Sequence, residues 1–317
     1  MSKKKLLYVT PHLSTGGLPQ YLLKKVQSFV KIYDIHVIEY QNLSGEYVVQ
    51  KNKIKQLLGE HKLITLGEDK HTLLPTIENI NPDIIHFEEI PEHFVDRSIL
   101  TEIFNKKERL YYIIATTHSS HTDPSKLLFI PDKFVLVSKW SKNKFENIID
   151  VPCDIWEYPI ENLPQNKDLY QKELHFDPKY KHVVNVGLFT PGKNQSEVFK
   201  VAKQLLDYNI IFHFIGNQAG NFKKYWGPLM ENLPKNCKVW GERDDVHKFL
   251  QAGDLFYFSS ILELNPLVVK ESLSYNLPIV MRPLPTYLDQ YDNKSLVSYI
   301  DNDLDKTKNL ILKKLNL

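Results

Sequence analysis

The sequence is poor in residues that announce special chemistry. Only two of its 317 residues are cysteine, Cys153 and Cys237, far apart and in no metal-type or redox-type spacing. That argues against a disulfide scaffold or a thiolate metal site, and leaves two buried thiols in a reducing compartment. Glycine numbers 12, with no G-x-G-x-x-G behind a strand and no G-K-[ST], which disfavours a dinucleotide-binding dehydrogenase and a P-loop nucleotidase. Net charge is only +2, so there is no strong case for nucleic acid as a partner. No run is long enough for a membrane span, and the apolar stretch 6–10 behind Lys3-Lys4-Lys5 is too short for a signal-peptide core. The expectation is a cytoplasmic protein, peripheral at a membrane face at most. The lysine clusters Lys3-Lys4-Lys5, Lys24-Lys25 and Lys223-Lys224 read as solvated surface, or as a weak attraction to anionic headgroups.

What is present is an ordinary globular composition, 42% hydrophobic and 25% charged, at a length that suits two domains. Short apolar runs alternate with longer amphipathic ones. Residues 6–10, 36–40, 62–66, 84–87, 111–116 and 134–137 read as strands without strict alternation, as for strands covered on both faces. Residues 19–31, 48–59, 71–79 and 138–149 read as helices, the first carrying Leu22, Leu23, Val26, Phe29 and Val30 at helical spacing. Three prolines between 151 and 170 mark a connection. The alternation then restarts, with strands at 182–186, 210–215, 237–240, 255–258 and 277–281 and helices at 195–207, 221–231, 244–251 and 266–275. This pattern predicts an α/β protein of two Rossmann-like domains facing across a cleft. The expected bounds are 1–160, a linker at 161–175, a second domain at 176–302, and a terminal segment 303–317 available to pack back on the first.

Ligands of open parallel sheets bind at the carboxyl ends of strands, so those loops matter most. The most informative is Glu263-Leu-Asn-Pro-Leu-Val-Val-Lys-Glu271, between a buried strand ending at Ser259-Ser260 and a helix beginning near Pro266. Free N–H groups at that helix start, with the positive end of its dipole, can hold a phosphate. Gly16-Gly17 lies in the loop between the first strand and first helix, His118 in the loop 116–121, and Ser138 at a helix N-cap position. Gly187 and Lys193 follow the first strand of the second half, and Gly216 and Gly241 each end a strand.

In this order the elements resemble the retaining GT-B glycosyltransferases of family 4, the glycosyl transferases group 1, whose E-x7-E element matches Glu263 and Glu271. The resemblance implies that Glu263 contacts the transferred sugar with His118 and Asn265, and that Glu271 holds the ribose. It implies diphosphate contacts from Gly16, Gly17, Gly187, Lys193 and the N–H groups of Leu267 and Val268. Gly216 and Arg243 would lie near the nucleotide. His118, Lys193 and Glu263 would carry catalysis. Leu188 stands where the family has a phosphate-binding arginine, a departure that Lys270, Arg243 or the helix start would have to offset. Asn276 replaces a glycine before Leu277-Pro278, and asparagine tolerates the left-handed conformation needed there.

The implied activity is metal-independent, retaining transfer from a nucleotide diphosphate sugar, with UDP favoured over GDP, to a hydroxyl acceptor such as a glycan or lipid-linked glycan. No cofactor is called for. Asp301-Asn-Asp303 matches the D-x-D of metal-dependent transferases only formally, being in a polar tail. A catalytically silent relative that binds a nucleotide sugar is the alternative, motivated by Leu188 and the altered glycine turn.

Overall fold

The computed structural model describes residues 3–14, 16–42, 49–105, 107, 109–161, 163–291 and 294–317. Thr15 of the Gly-Gly loop, Val48 at an expected helix start and Asn162 in the expected linker lie outside them. The chain divides into two compact units, Met1–Pro159 and Ile160–Leu317.

The first unit is built on β1 (Lys5–Thr10), β2 (Asp34–Glu39), β3 (Leu63–Thr65), β4 (Ile84–Phe87), β5 (Tyr112–Ala115), β6 (Lys133–Leu136) and β7 (Cys153–Ile155). All pairs are parallel, in the order β3-β2-β1-β4-β5-β6-β7. Successive residues of a strand face opposite sides. Leu7 and Val9 therefore enter one apolar cluster with Ile85, Phe87 and Ile113, while Leu6 and Tyr8 enter another with Leu22, Val26 and Val37. Helices on both faces explain why the strands read as bare apolar runs rather than alternating ones.

The second unit holds β8 (Lys181–Val186), β9 (Ile210–Ile215), β10 (Cys237–Val239), β11 (Leu255–Phe258), β12 (Ile279–Met281) and β13 (Val297–Tyr299), in the order β10-β9-β8-β11-β12-β13. These pairs are parallel too. Two clusters again flank the sheet, one containing Val183, Phe212 and Tyr257, the other Val184, Phe256 and Met281. The outer strands β7 and β13 escape a sequence reading because each is three residues long and only partly buried.

Two stretches differ from expectation. The expected linker contains the helix Lys167–Glu173, whose Gln171 side chain donates to the Ala252 carbonyl at 2.9 Å while Leu174 and Phe176 are buried beyond it. Its prolines precede structure that belongs to the second unit. The terminal helix Leu304–Leu315 buries Ile311 and Leu315 with Val198 and Val201 of the helix Gln195–Gln204. Its apolar face is thus spent inside its own unit.

Candidate active site

In each sheet the order reverses once, between β1 and β4 in the first unit and between β8 and β11 in the second. Loops leaving neighbouring strands at such a point diverge and leave a crevice at the strand ends. In the second unit the loop after β8 carries Gly187 and Lys193, and the loop after β11 carries Glu263. The Lys193 ammonium is hydrogen-bonded to the Glu263 carboxylate, spanning the switch point, and sits 5.6 Å from the centre of the Phe258 ring. The lysine stem passes over Gly187, where a β-carbon would come 3.2 Å from its Cδ. The backbones are laced as well. Ser259 Oγ donates to the Lys193 carbonyl at 2.9 Å, Ile261 N–H to the Gly192 carbonyl at 2.9 Å, and Thr286 Oγ1 to the Glu263 carbonyl at 2.7 Å.

The helix Leu267–Ser274 begins immediately after Pro266, with no side chain capping its start. Leu267 and Val268 are its first residues, and such N–H groups have no partner within a helix. Glu271 lies four residues in, and its charge helps to raise the Tyr275 hydroxyl pKa, an effect due first to burial. Asn276 takes φ 56° and Leu277 N–H donates back to the Ser272 carbonyl, closing the helix end. Asn265 lies half-buried in the turn before the helix.

Gly216 has a packing role that the sequence did not reveal. A β-carbon there would fall 2.0 Å from the Gly187 carbonyl oxygen. Gly187 N–H donates to the Ile215 carbonyl at 2.9 Å and Gly216 N–H to the Gly241 carbonyl at 2.8 Å, so three strand-end loops form one tier. Arg243, one candidate to replace the missing arginine, is held by both oxygens of Asp245, at 2.9 and 2.8 Å. Asp303 of the D-x-D caps the terminal helix, accepting from the N–H groups of Asp305 and Lys306 at 2.9 and 3.1 Å.

In the first unit, Gly16 and Gly17 are exposed at the start of the helix Gly17–Phe29. Ser138 caps the helix Lys139–Glu146 by accepting from Ser141 N–H. His118 follows β5, its backbone N–H donating to Glu89 and its ring meeting Tyr21 edge-on at 4.9 Å. Beside it lies a group that the sequence reading missed. Lys25, expected as solvated surface, is 1% exposed and bonds Glu88 Oε1 at 2.7 Å. Burial disfavours the Glu88 charge, but the Lys25 ammonium prevails and holds the carboxyl far below its usual range. Burial and the Lys25 charge push His86 down to about 3, so it is neutral.

Residues 166–311 match the family described as Glycosyl transferases group 1. The processive diacylglycerol alpha-glucosyltransferase of Acholeplasma laidlawii is 27% identical over 264 residues, covering 82% of this chain and 71% of that protein. The UDP-Gal:alpha-D-GlcNAc-diphosphoundecaprenol alpha-1,3-galactosyltransferase of Escherichia coli is 32% identical over 101 residues, 30% of this chain and 26% of that protein. Among solved structures, Anabaena Alr3699/HepE in complex with UDP superposes with a TM-score of 0.77 at 13% identity, covering 98% of this chain and 90% of that one. The chain is a glycosyltransferase of the GT-B fold that uses a nucleotide-sugar donor.

For a glycosyltransferase the second-unit geometry is chemically apt. A diphosphate leaving group needs positive charge and N–H donors, which Lys193 and the helix start can supply. A sugar needs hydroxyl acceptors, which Glu263 can supply. Lys25 and Glu88 could have been found as a strand-end carboxylate and a lysine on the apolar face of a helix, one turn after Tyr21. The Lys24-Lys25 pair concealed this, because charge runs are usually solvated.

Proposed function

We propose that this glycosyltransferase moves a hexose from a UDP-sugar to a hydroxyl of a lipid or lipid-linked glycan, with retention at the anomeric carbon and without a metal. The observation that carries the reading is the Lys193–Glu263 contact across the β8/β11 switch point, next to the start of the helix Leu267–Ser274. There one cation and one sugar-binding carboxylate lie together, as a donor with a charged diphosphate and a neutral sugar requires. The UDP bound by Alr3699/HepE supports the choice of base, and the acceptors named for the Acholeplasma and Escherichia proteins support a lipid-borne hydroxyl. Among the described residues no helix is long and apolar enough to cross a membrane. The exposed Lys3 and Lys4 are suited to a weak peripheral contact with anionic headgroups.

In this mechanism the second unit binds the nucleotide and the first binds the acceptor. The acceptor oxygen bonds to the anomeric carbon on the face that the diphosphate leaves. The bond from carbon to phosphate oxygen breaks, and a phosphate oxygen takes the acceptor proton. Lys193 and the N–H groups of Leu267 and Val268 stabilise the departing charge. Glu263 and Asn265 hold the sugar and Glu271 holds the ribose, while His118 meets a substrate hydroxyl on the first unit.

The test uses purified protein with UDP-glucose, UDP-galactose, UDP-N-acetylglucosamine and GDP-mannose, with diacylglycerol vesicles as acceptor. The expected result is α-linked product from a UDP-sugar in the presence of chelator, and loss of turnover in Lys193→Ala and Glu271→Ala. An inverted product, or strict dependence on added metal, would overturn the mechanism. Tight UDP binding without turnover on any acceptor would favour the silent relative.

A further inference from the structure

His118 does not stand alone at the end of β5. Its Nε2 lies 3.5 Å from Glu88 Oε2, and both atoms are shut off from solvent with no hydrogen-bond partner among the described residues. The other oxygen of Glu88 is taken by Lys25 at 2.7 Å. Lys25 is in turn enclosed by the Tyr21 and Trp156 rings, 4.8 and 5.8 Å from their centres, and the Tyr21 hydroxyl is tied to the Trp156 carbonyl at 2.7 Å. His86 contacts Lys25 at 3.3 Å and Thr116 Oγ1 at 2.8 Å. Glu88 leaves β4 at the β1/β4 switch point, while Lys25 comes from the helix Gly17–Phe29 and His118 from the loop after β5. Three elements thus converge on one carboxylate whose second oxygen, among the described residues, lies 3.5 Å from the imidazole Nε2.

A buried carboxylate with an unfilled oxygen strongly favours a donor opposite it. Of the two ring nitrogens, the one facing that oxygen is therefore the one that carries hydrogen. We propose that Glu88, paired with Lys25, is a positioning residue that holds His118 as the Nε2–H tautomer. Nδ1, the ring nitrogen that does not face Glu88, is then the unprotonated one, on a side chain that is 18% exposed. So held, His118 accepts a hydrogen bond from a substrate hydroxyl at Nδ1. An acceptor there makes the first-unit site selective for hydroxyl-bearing ligands over anions at that position. The inference rests on His118 facing the substrate, as in the proposed function, but the tautomer can be measured without turnover.

The experiment is two-bond 1H–15N NMR on protein labelled with 15N-histidine, with the His118 signal assigned by its absence in His118→Asn. The expected wild-type pattern is protonated Nε2 and bare Nδ1. Lys25→Met/Glu88→Leu removes both charges together and replaces them with apolar groups, a change often tolerated in buried pairs. It is expected to yield a mixture of tautomers and a fall in kcat of roughly ten- to hundred-fold, the range for losing an orienting partner, with UDP affinity unchanged. Glu88→Gln serves if the double variant does not fold. His118→Asn, whose amide oxygen can stand in for Nδ1, is expected to retain more activity than His118→Gln.

A wild-type Nδ1–H tautomer would overturn the proposal, as would a variant that loses the Nε2–H tautomer while keeping full kcat. If no nucleotide sugar is turned over, the proposed function fails by itself and the NMR pattern still decides the tautomer.

Discussion

Gly216 and Gly187 meet backbone to backbone, with no room between them for a β-carbon. Because the obstructing atom is a carbonyl oxygen, no side-chain rotation relieves the clash. Gly216→Ala should therefore destabilise the second unit by about 1–3 kcal/mol, the usual cost of overpacking, seen as a lower urea midpoint. Gly187→Ala meets only the flexible Lys193 stem but must hold φ 156°, which side chains rarely adopt, so it should lower stability as well as weaken donor binding. Equal midpoints for Gly216→Ala and wild type would end this argument.

Lys193 and Glu263 are partners in the free protein but have different tasks when donor binds. Lys193→Met should weaken UDP binding by about 1.5–3 kcal/mol, the worth of a charge-assisted contact, read by calorimetry. Glu263→Gln removes the carboxylate that competes with phosphate for the ammonium. It should leave UDP affinity equal or tighter while turnover falls. If both variants weaken UDP equally, the division of labour is wrong.

Leu188 occupies the position at which the family resemblance places an arginine, and Arg243 is committed to Asp245. Leu188→Arg should therefore tighten UDP binding by about 1–2 kcal/mol, while Arg243→Ala should change it less. Isothermal titration of the two variants against wild type checks both expectations.

Acid should loosen the second unit through a buried relay. Trp240 Nε1–H donates to His213 Nδ1 at 3.1 Å, and His213 Nε2 meets His182 Nδ1 at 3.0 Å. His182 Nε2 in turn donates to the Asp177 carbonyl at 3.1 Å. Every ring nitrogen is used with both rings neutral. Burial first, then the neighbouring His182 and Lys238, push His213 down to about 2 from 6.5. His182 is also lowered, by burial first. The unfolded chain takes up these protons near pH 6.5 and the folded chain does not. Stability from the relay is thus complete above about 6.5 and is lost as pH falls below it, for His213 down toward 2, at up to about 1.4 kcal/mol per pH unit for a fully excluded proton. Thermal midpoints between pH 7 and 5 should fall, and His213→Gln should flatten that slope.

Both thiols should be silent in the folded protein. Burial pushes Cys153 up to about 11 and Cys237 up to about 12, so neither offers thiolate near neutrality. Iodoacetamide should label neither at pH 7.5 until denaturant is added. Rapid labelling of Cys237 without unfolding would contradict its burial.

The apolar runs determined most of the architecture, because strands covered on both faces must be apolar throughout and crossover helices must be amphipathic. The loops bearing His118, Lys193 and Glu263 were legible for the same reason, since strand ends are fixed once the strands are. Strands β7 and β13 were not legible, because three residues are too few to show a period. The helix Lys167–Glu173 was hidden behind prolines that only precede it.

The sequence by itself determined which strand-end loops exist and which residue types they carry. Tertiary structure alone decided which of those residues meet. Whether Lys25 is solvated or enclosed depends on Glu88, 63 positions away and brought beside it by sheet order. Whether Gly216 is a simple turn or a contact point depends on the neighbouring loop at Gly187. Pairings of this kind are set by packing between distant segments, which local propensity does not encode.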